Sequence, residues 1–330
     1  MKLPAQNIKK IGVFRALQLG DMLCTIPAIR ALREAYPRAE IILLSLPWAK
    51  GFTERFNHYF DGFIHFPGYP GLPEQGFAPA AFHRFTGEMQ NEEFDLLLQM
   101  QGNGTLVNPM LELFNANHLA GFKTDGHYAP DNGLFMNYPD HGSEIDRHLA
   151  LMEYLGIESL GNDLEFPLME VDIDELRQLK LPIEPQRYVC IHPGSRGSWR
   201  QWPVNYFAAL ADFCIDQGYQ AVITGTKDES EITAAVISRM KNTPIDTTGK
   251  TSLGAVGALI KNAALLISNC TGVSHIAAAF KTPSVVISMD GEPHRWGPID
   301  TYRHRTINWL KAPDFHIVFR ETVDLIQQVA

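Results

Sequence analysis

Three short segments of the chain bring glycine, hydroxyl, imidazole, guanidinium or carboxylate groups together at spacings that suit holding an anion or moving a proton. The first is Ser268-Asn269-Cys270-Thr271-Gly272-Val273-Ser274-His275-Ile276-Ala277-Ala278-Ala279. An apolar run ends, a glycine turns the chain, and a helix of small residues begins. The first N–H groups of a helix lack internal partners and lie at the positive end of its dipole, so anions, phosphates above all, bind there. Gly272 lets a phosphate approach the backbone, Thr271 and Ser274 add hydroxyl donors, and His275 can donate or accept. A capped helix whose small residues merely pack on a sheet accounts for the same residues, and helix chemistry alone leaves both readings open.

The second segment is His192-Pro193-Gly194-Ser195-Arg196-Gly197-Ser198-Trp199-Arg200-Gln201-Trp202-Pro203. Arg196 and Arg200 carry guanidinium forks that match phosphate geometry, set among glycines and serines. The alternative is a solvated loop anchored by Trp202. The third segment is Arg15-Ala16-Leu17-Gln18-Leu19-Gly20-Asp21. An aspartate at a helix start is most often an N-cap; beside a bound hydroxyl it is a general base. Other groupings carry less. Asp172-Ile173-Asp174 has the spacing of a metal-binding acidic pair, but it stands just before the helical Glu175-Leu176 and reads as capping and solvation. Gly102-Asn103-Gly104 lacks the third glycine of a dinucleotide-binding fingerprint. The histidines show no HExxH spacing, and Cys24, Cys190, Cys214 and Cys270 are too scattered for a zinc site or a disulfide framework.

The elements that must position these segments alternate. Ile11–Phe14 reads as a strand, and Leu23 to Tyr36 as one helix. Glu40–Ser45 and Phe94–Met100 are nearly wholly apolar, as in strands buried on both faces of a parallel sheet. Residues from Phe63 to Phe85, rich in Pro, Gly and aromatics, read as a loop or lid, and Glu144 to Leu155 as a helix. The pattern restarts with strands at Tyr188–Ile191, Tyr219–Gly225, Ala264–Ser268 and Pro283–Ser288, and with helices near Val204–Gln217, Ser252–Lys261 and Val273–Phe280. Each anion-suited segment follows a strand and opens a helix. The class is α/β, with two doubly wound domains divided in the acidic, proline-bearing stretch between Gly161 and Leu181. The boundary is drawn at residues 1–170 and 171–330, with the last helix free to pack back on the N-terminal domain.

The 330 residues suit two domains, and the net charge of −9 argues against a broad nucleic-acid-binding face. The N-terminal text does not read as a signal peptide, no run is long enough for a membrane span, and the scattered cysteines fit a reducing, cytoplasmic setting.

In combination the motifs resemble a known family. Phe14-Arg15, Leu19-Gly20-Asp21 and Thr25-Ile26-Pro27-Ala28-Ile29-Arg30-Ala31-Leu32 resemble the N-terminal signature of glycosyltransferase family 9, which includes the ADP-heptose lipopolysaccharide heptosyltransferases. His192-Pro193-Gly194-Ser195 with Arg200-Gln201-Trp202-Pro203 is similar to its mid-chain motif, and Thr271–Ala279 followed by Pro283 to its donor-site motif. Phe94-Asp95-Leu96, Gln101-Gly102-Asn103 and Trp296-Gly297-Pro298 also resemble family text, in the right order over nearly the whole chain.

The resemblance implies a GT-B fold, with two Rossmann-like domains facing each other across a cleft. It implies an acceptor on the N-terminal side near Arg15, Gly20 and Gln101, and a donor on the C-terminal side. It also implies inversion at the anomeric carbon without a metal or other cofactor. The co-substrate is then a nucleotide diphosphate sugar, ADP-heptose-like by family default. The acceptor is a glycan or lipid-linked glycan such as a lipopolysaccharide core, reached by peripheral contact at the cytoplasmic face of the inner membrane; nucleic acid is not a partner. Asp21 falls on the position of the catalytic base. Ser195, Arg196 and Arg200 fall in the segment that contacts the donor phosphates, with arginine at position 200 where lysine is usual. Thr271, Gly272, Val273, Ser274 and His275 fall on the diphosphate turn, and Glu229 on an acidic residue that reads the nucleoside. Cys270 stands where the family usually has aspartate, so restoring that aspartate is expected to raise activity if the chain has drifted from a heptose donor. Two rivals remain, an epimerase of similar fold and a non-catalytic nucleotide-sugar binder.

Overall fold

The computed structural model describes residues 2–329. The first unit runs β1 (Lys10–Phe14), α1 (Leu19–Leu23), α2 (Ile26–Ala35), β2 (Glu40–Ser45), α3 (Ala49–Arg55), β3 (Gly62–His65), α4 (Pro79–Asn91), β4 (Leu96–Gln99), α5 (Asn108–Glu112), β5 (His118–Lys123), β6 (Leu134–Asn137) and α6 (Glu144–Tyr154). Its six strands pair in parallel in the order β3-β2-β1-β4-β5-β6. This is the order of a Rossmann sheet. The apolar runs that marked β1, β2 and β4 are buried on both faces, and Phe14, Leu44, Phe94 and Leu97 join one core cluster with Phe66, Phe85 and Phe114.

The second unit runs α7 (Glu170–Gln178), β7 (Tyr188–His192), α8 (Val204–Asp216), β8 (Gln220–Ile223), α9 (Ser230–Ile237), β9 (Ile245–Asp246), α10 (Leu253–Asn262), β10 (Leu265–Asn269), α11 (Gly272–Phe280), β11 (Ser284–Ser288), α12 (Pro293–Trp296), β12 (His304–Asn308) and α13 (Phe315–Val329). Its order, β12-β11-β10-β7-β8-β9, is the same parallel topology read from the other edge. Trp202 anchors its core among Phe207, Trp309 and Phe315. Both units are thus α/β and Rossmann-like.

Four particulars differ from the sequence reading. The helix expected from Leu23 to Tyr36 is two helices. The Thr25 hydroxyl donates to the Met22 carbonyl at 2.6 Å, and Pro27 stands in the first turn of α2, where its missing N–H leaves no vacancy. The stretch from Phe63 to Phe85 is not one loop. Its start is strand β3, paired with β2, and its end is the first turns of α4, which Pro79 opens. The chain divides between Asn162 and Asp163, ahead of the expected position 170. Phe166 there meets Phe280 edge-on at 5.9 Å, and α7 packs on α10, which ties this text to the second unit. Last, α13 packs on β11 and α8 of its own unit. Asp172 accepts the Met169 N–H at 2.8 Å and Asp174 pairs with Arg177 at 3.1 Å, so both carboxylates of that acidic pair have local protein partners.

Candidate functional site

In an open parallel sheet, ligands bind beyond the carboxyl ends of the strands, where the strand order reverses. In the first unit that point lies between β1 and β4, and in the second between β7 and β10. The segments that Arg15 to Asp21 and Gln101 occupy leave β1 and β4; those of Ser195 and Cys270 leave β7 and β10.

At the first point Arg15 is the organising residue, with only 1% of its surface exposed. Its Nε donates to the Asp21 carbonyl at 3.0 Å, one Nη to the Met100 carbonyl, and the other to Glu144 Oε1 at 3.3 Å. The Asp21 carboxylate lies 3.9 Å from the same guanidinium, and the Gln101 side chain accepts the Ala16 N–H at 2.8 Å. Glu144 opens α6 and also faces Arg147 at 3.8 Å and His148 at 3.4 Å. A buried charge needs such partners. Burial and the cations Arg15 and Arg147 push His148 down to about 4, against the pull of Glu144, so it is neutral at pH 7.

Asp21 is the third residue of α1, and Gln18, not Asp21, is the cap residue. The N-cap reading of Asp21 therefore fails. Its side chain keeps 24% exposure. Burial raises its pKa above the ordinary aspartate value, Glu144 adds to this, and Arg15 and backbone N–H groups oppose it. A carboxylate of raised basicity that still reaches solvent suits proton abstraction. Gly20, half-buried beside it in α1, leaves that flank without a side chain.

At the second point Asn269, fully buried, ties the loops together. Its Nδ2 donates to the carbonyls of Pro193 and Gly194 at 2.7 and 3.2 Å, and its Oδ1 accepts the Trp202 N–H at 2.9 Å. Ser195, 7% exposed, is held through its carbonyl by Gln201 Nε2 at 3.0 Å. Arg196 is exposed on the same loop. Arg200 rests over the Trp199 ring at 5.2 Å and donates to Asp290 Oδ2. Glu229 accepts the Thr226 N–H at 2.8 Å and approaches His192 Nε2 at 3.8 Å. It closes directly over Gly194, where a Cβ would lie 2.1 Å from Glu229 Oε1. Burial holds His192 below the usual imidazole range, although Glu229 favours its charged form.

Thr271 caps α11 in extended conformation, with no side-chain cap bond. Among the described residues no backbone carbonyl accepts from the N–H groups of Thr271, Gly272 or Val273. Three amides are thus left at the positive end of a nine-residue helix. The Ser274 hydroxyl is buried and donates to the Thr271 carbonyl at 2.7 Å, a bond that shapes the turn. His275 is 4% exposed, and burial with the neighbouring His304 pushes it down to about 4, which leaves a neutral ring. Cys270 Sγ donates to the Trp296 carbonyl at 3.5 Å, and burial, with Asp290, pushes the thiol up to about 12. Burial thus favours the neutral thiol.

The sequence reading missed Glu144, Asn269 and Asp290 as parts of these sites. Asn269 lay inside a quoted motif, but nothing marked which loop its amide would join. Glu144 is 129 positions from Arg15, and no local pattern links them.

Residues 82–322 match the model of glycosyltransferase family 9 (heptosyltransferase). The chain belongs to that family. The matched stretch contains Gln101, Ser195, Arg200, Glu229 and the Cys270–His275 turn, and begins after Asp21. This family 9 glycosyltransferase is 25% identical over 317 residues to lipopolysaccharide heptosyltransferase 2 of Escherichia coli K12, covering 91% of this chain and 88% of that protein. Its fold is shared with a family 9 glycosyl transferase from Veillonella parvula, at TM-score 0.81 and 18% identity over 99% of this chain and 100% of the other. It is shared too with the E. coli ADP-heptose lps heptosyltransferase II, at TM-score 0.77 and 18% identity over 97% and 99%. Two Rossmann-like units are what the GT-B class contains, and the family makes the chain a transferase of sugars. No helix among the described residues is long and apolar enough to cross a membrane.

Proposed function

We propose that this family 9 enzyme moves a heptose from an ADP-linked donor to a lipopolysaccharide-core or related glycan acceptor, with inversion and without a metal. The observation that carries the reading is the α11 turn, where unpaired amides, Arg200 and Ser195 stand at the carboxyl ends of neighbouring strands. The names of the relatives, heptosyltransferases acting on lipopolysaccharide and in one case with ADP-heptose, support the donor and the acceptor.

Asp21 takes the proton of an acceptor hydroxyl as that oxygen bonds to C1 of the donor sugar. The C1–O bond to the diphosphate breaks in the same displacement, through an oxocarbenium-like transition state by analogy with glycoside hydrolysis. One displacement at one carbon inverts it. Charge then grows on the departing phosphate. The Gly272 and Val273 amides and the Arg200 guanidinium receive that charge, a task that preorganised donors perform at about 2.7–4 kcal/mol each. A lipid-linked acceptor would hold the reaction at a membrane surface, and the cytoplasmic face of the inner membrane is the location this reading proposes.

Asp21→Asn is the direct test. It should lower transfer by about 10²–10⁴-fold while leaving ADP affinity within about twofold of wild type, the donor contacts being untouched. Full transfer by Asp21→Asn would remove the base. An epimerase would instead convert the donor without an acceptor, and a binding protein would hold ADP without turnover.

A further inference from the structure

Asp290 lies in the turn after β11, beside the end of β10 that carries Cys270, and the proposed chemistry does not use it. Its side chain is 5% exposed. A carboxylate so buried persists as an ion only with close partners. Asp290 has three. Ser288 Oγ donates to its Oδ1 at 2.7 Å, the Glu292 N–H donates to the same oxygen at 3.1 Å, and Arg200 donates to Oδ2. Burial alone would raise its pKa, but these bonds outweigh it and hold the group below the ordinary carboxylate value. Arg200 keeps 33% exposure, so a guanidinium of five donors has part of its fork tied to Asp290 and part open. Cys270 feels both charges, Asp290 raising its pKa and Arg200 lowering it. The Cys270 N–H donates to the Ile287 carbonyl at 2.8 Å, three residues before Asp290, so the thiol stands at the strand end that carries the Asp290–Arg200 pair.

We propose that Asp290 is the positioning residue that aims Arg200 at the donor diphosphate, and that its carboxylate fills the anionic place beside position 270 so that Cys270 has to remain neutral. The proposal rests on the reading of Arg200 as a diphosphate contact. A second carboxylate at position 270 would face Asp290, and like charges sharing one site oppose each other's ionisation. Cys270→Asp alone is therefore harmful, the opposite of what a drifted aspartate site would show. Moving the charge, by Cys270→Asp with Asp290→Asn, rebuilds one carboxylate beside one guanidinium.

The experiment is a double-mutant cycle on the full chain, reading ADP affinity by calorimetry and stability by thermal melting. Asp290→Asn should weaken ADP binding by about tenfold or more, the scale of one charge-assisted hydrogen bond. Cys270→Asp should weaken it comparably. The double variant should return to within about threefold of wild type, a rescue that additive losses cannot give. Ser288→Ala, which removes one bond from Asp290, should cause a smaller loss of about threefold. A residue that merely braced the β11 turn would lower the melting temperature in Asp290→Asn without rescue by the second substitution. Unchanged ADP affinity in Asp290→Asn, tighter binding in Cys270→Asp, or simple additivity in the double variant would each overturn the proposal. If wild type binds neither ADP nor any other nucleoside diphosphate, the donor reading itself fails. If wild type binds ADP and the cycle shows no coupling, only the role of Asp290 fails.

Discussion

Arg15 has one guanidinium and two carboxylates within reach of it, and the geometry favours Glu144 at 3.3 Å over Asp21 at 3.9 Å. This division matters for chemistry. An undivided arginine beside Asp21 would make it a weak base; with Glu144 taking up much of that charge, burial keeps Asp21 above its ordinary value of 3.8. The acidic limb of kcat/KM should accordingly lie above that value, with activity rising as pH rises through it and Asp21 loses its proton. Glu144→Gln removes the group that both raises Asp21 and occupies Arg15. The limb should then move to lower pH, and maximal activity should fall with it. A pH profile of single-turnover transfer checks the sign, and a limb that moves upward would contradict it. His148 faces the same pair, and burial with the cations Arg15 and Arg147 pushes it down to about 4, so it is neutral at pH 7. Asp21 was singled out by the family resemblance of its motif, since its place at a helix start pointed first to an N-cap. Its raised basicity was not legible, because it comes from burial in the fold and from Glu144, which arrives from α6 far along the chain.

At the scale of elements, the strands next to each switch point were the legible ones. β1, β2, β4, β7, β8, β10 and β11 are short apolar runs because both faces are covered. The strands β5, β6 and β12 escaped notice because lysine, asparagine, histidine or arginine interrupts them, as their lesser burial allows. A last helix was expected without bounds, and α13 packs on its own unit because its contacts are to β11 and α8. The helix-opening turns were legible for a different reason, since glycine after a strand has few structural uses. Gly194 shows what such a residue permits. Its backbone is ordinary, so Gly194→Ala adds no conformational strain, yet the new Cβ would stand 2.1 Å from Glu229 Oε1. The Glu229 carboxyl must swing aside and give up the Thr226 N–H. The expected cost is about 0.5–1.5 kcal/mol of stability, that of one hydrogen bond, together with several-fold weaker nucleotide binding, read by melting and calorimetry. Unaltered binding would remove Glu229 from the donor site. Trp202→Ala should cost more, about 3–5 kcal/mol, because that ring fills the core under the same loop among Phe207, Trp309 and Phe315.

For the whole molecule, the sequence carried the class, the two doubly wound units and the family, because the order of motifs along 330 residues is itself a constraint. The exact join of the units was less legible, since the acidic text around 163–178 shows its allegiance only when Phe166 and α7 are seen against Phe280 and α10. Among the described residues no cluster of three or more His, Cys, Asp or Glu side chains is arranged to hold a metal ion. If Arg200 and the helix amides take the place of a cation at the leaving group, as proposed, transfer should survive dialysis against EDTA with less than about a twofold loss, and added magnesium or iron should not raise it. Strong loss in EDTA with recovery on one metal would replace that part of the mechanism. The most direct test of the central claim is mass spectrometry of a heptose-accepting lipopolysaccharide core incubated with the enzyme and a panel of ADP-, UDP- and GDP-sugars. The acceptor should gain one heptose from the ADP donor, with release of ADP, and the gain should disappear in Asp21→Asn. Turnover of a donor without any change in the acceptor, or equal transfer by Asp21→Asn, would contradict the claim.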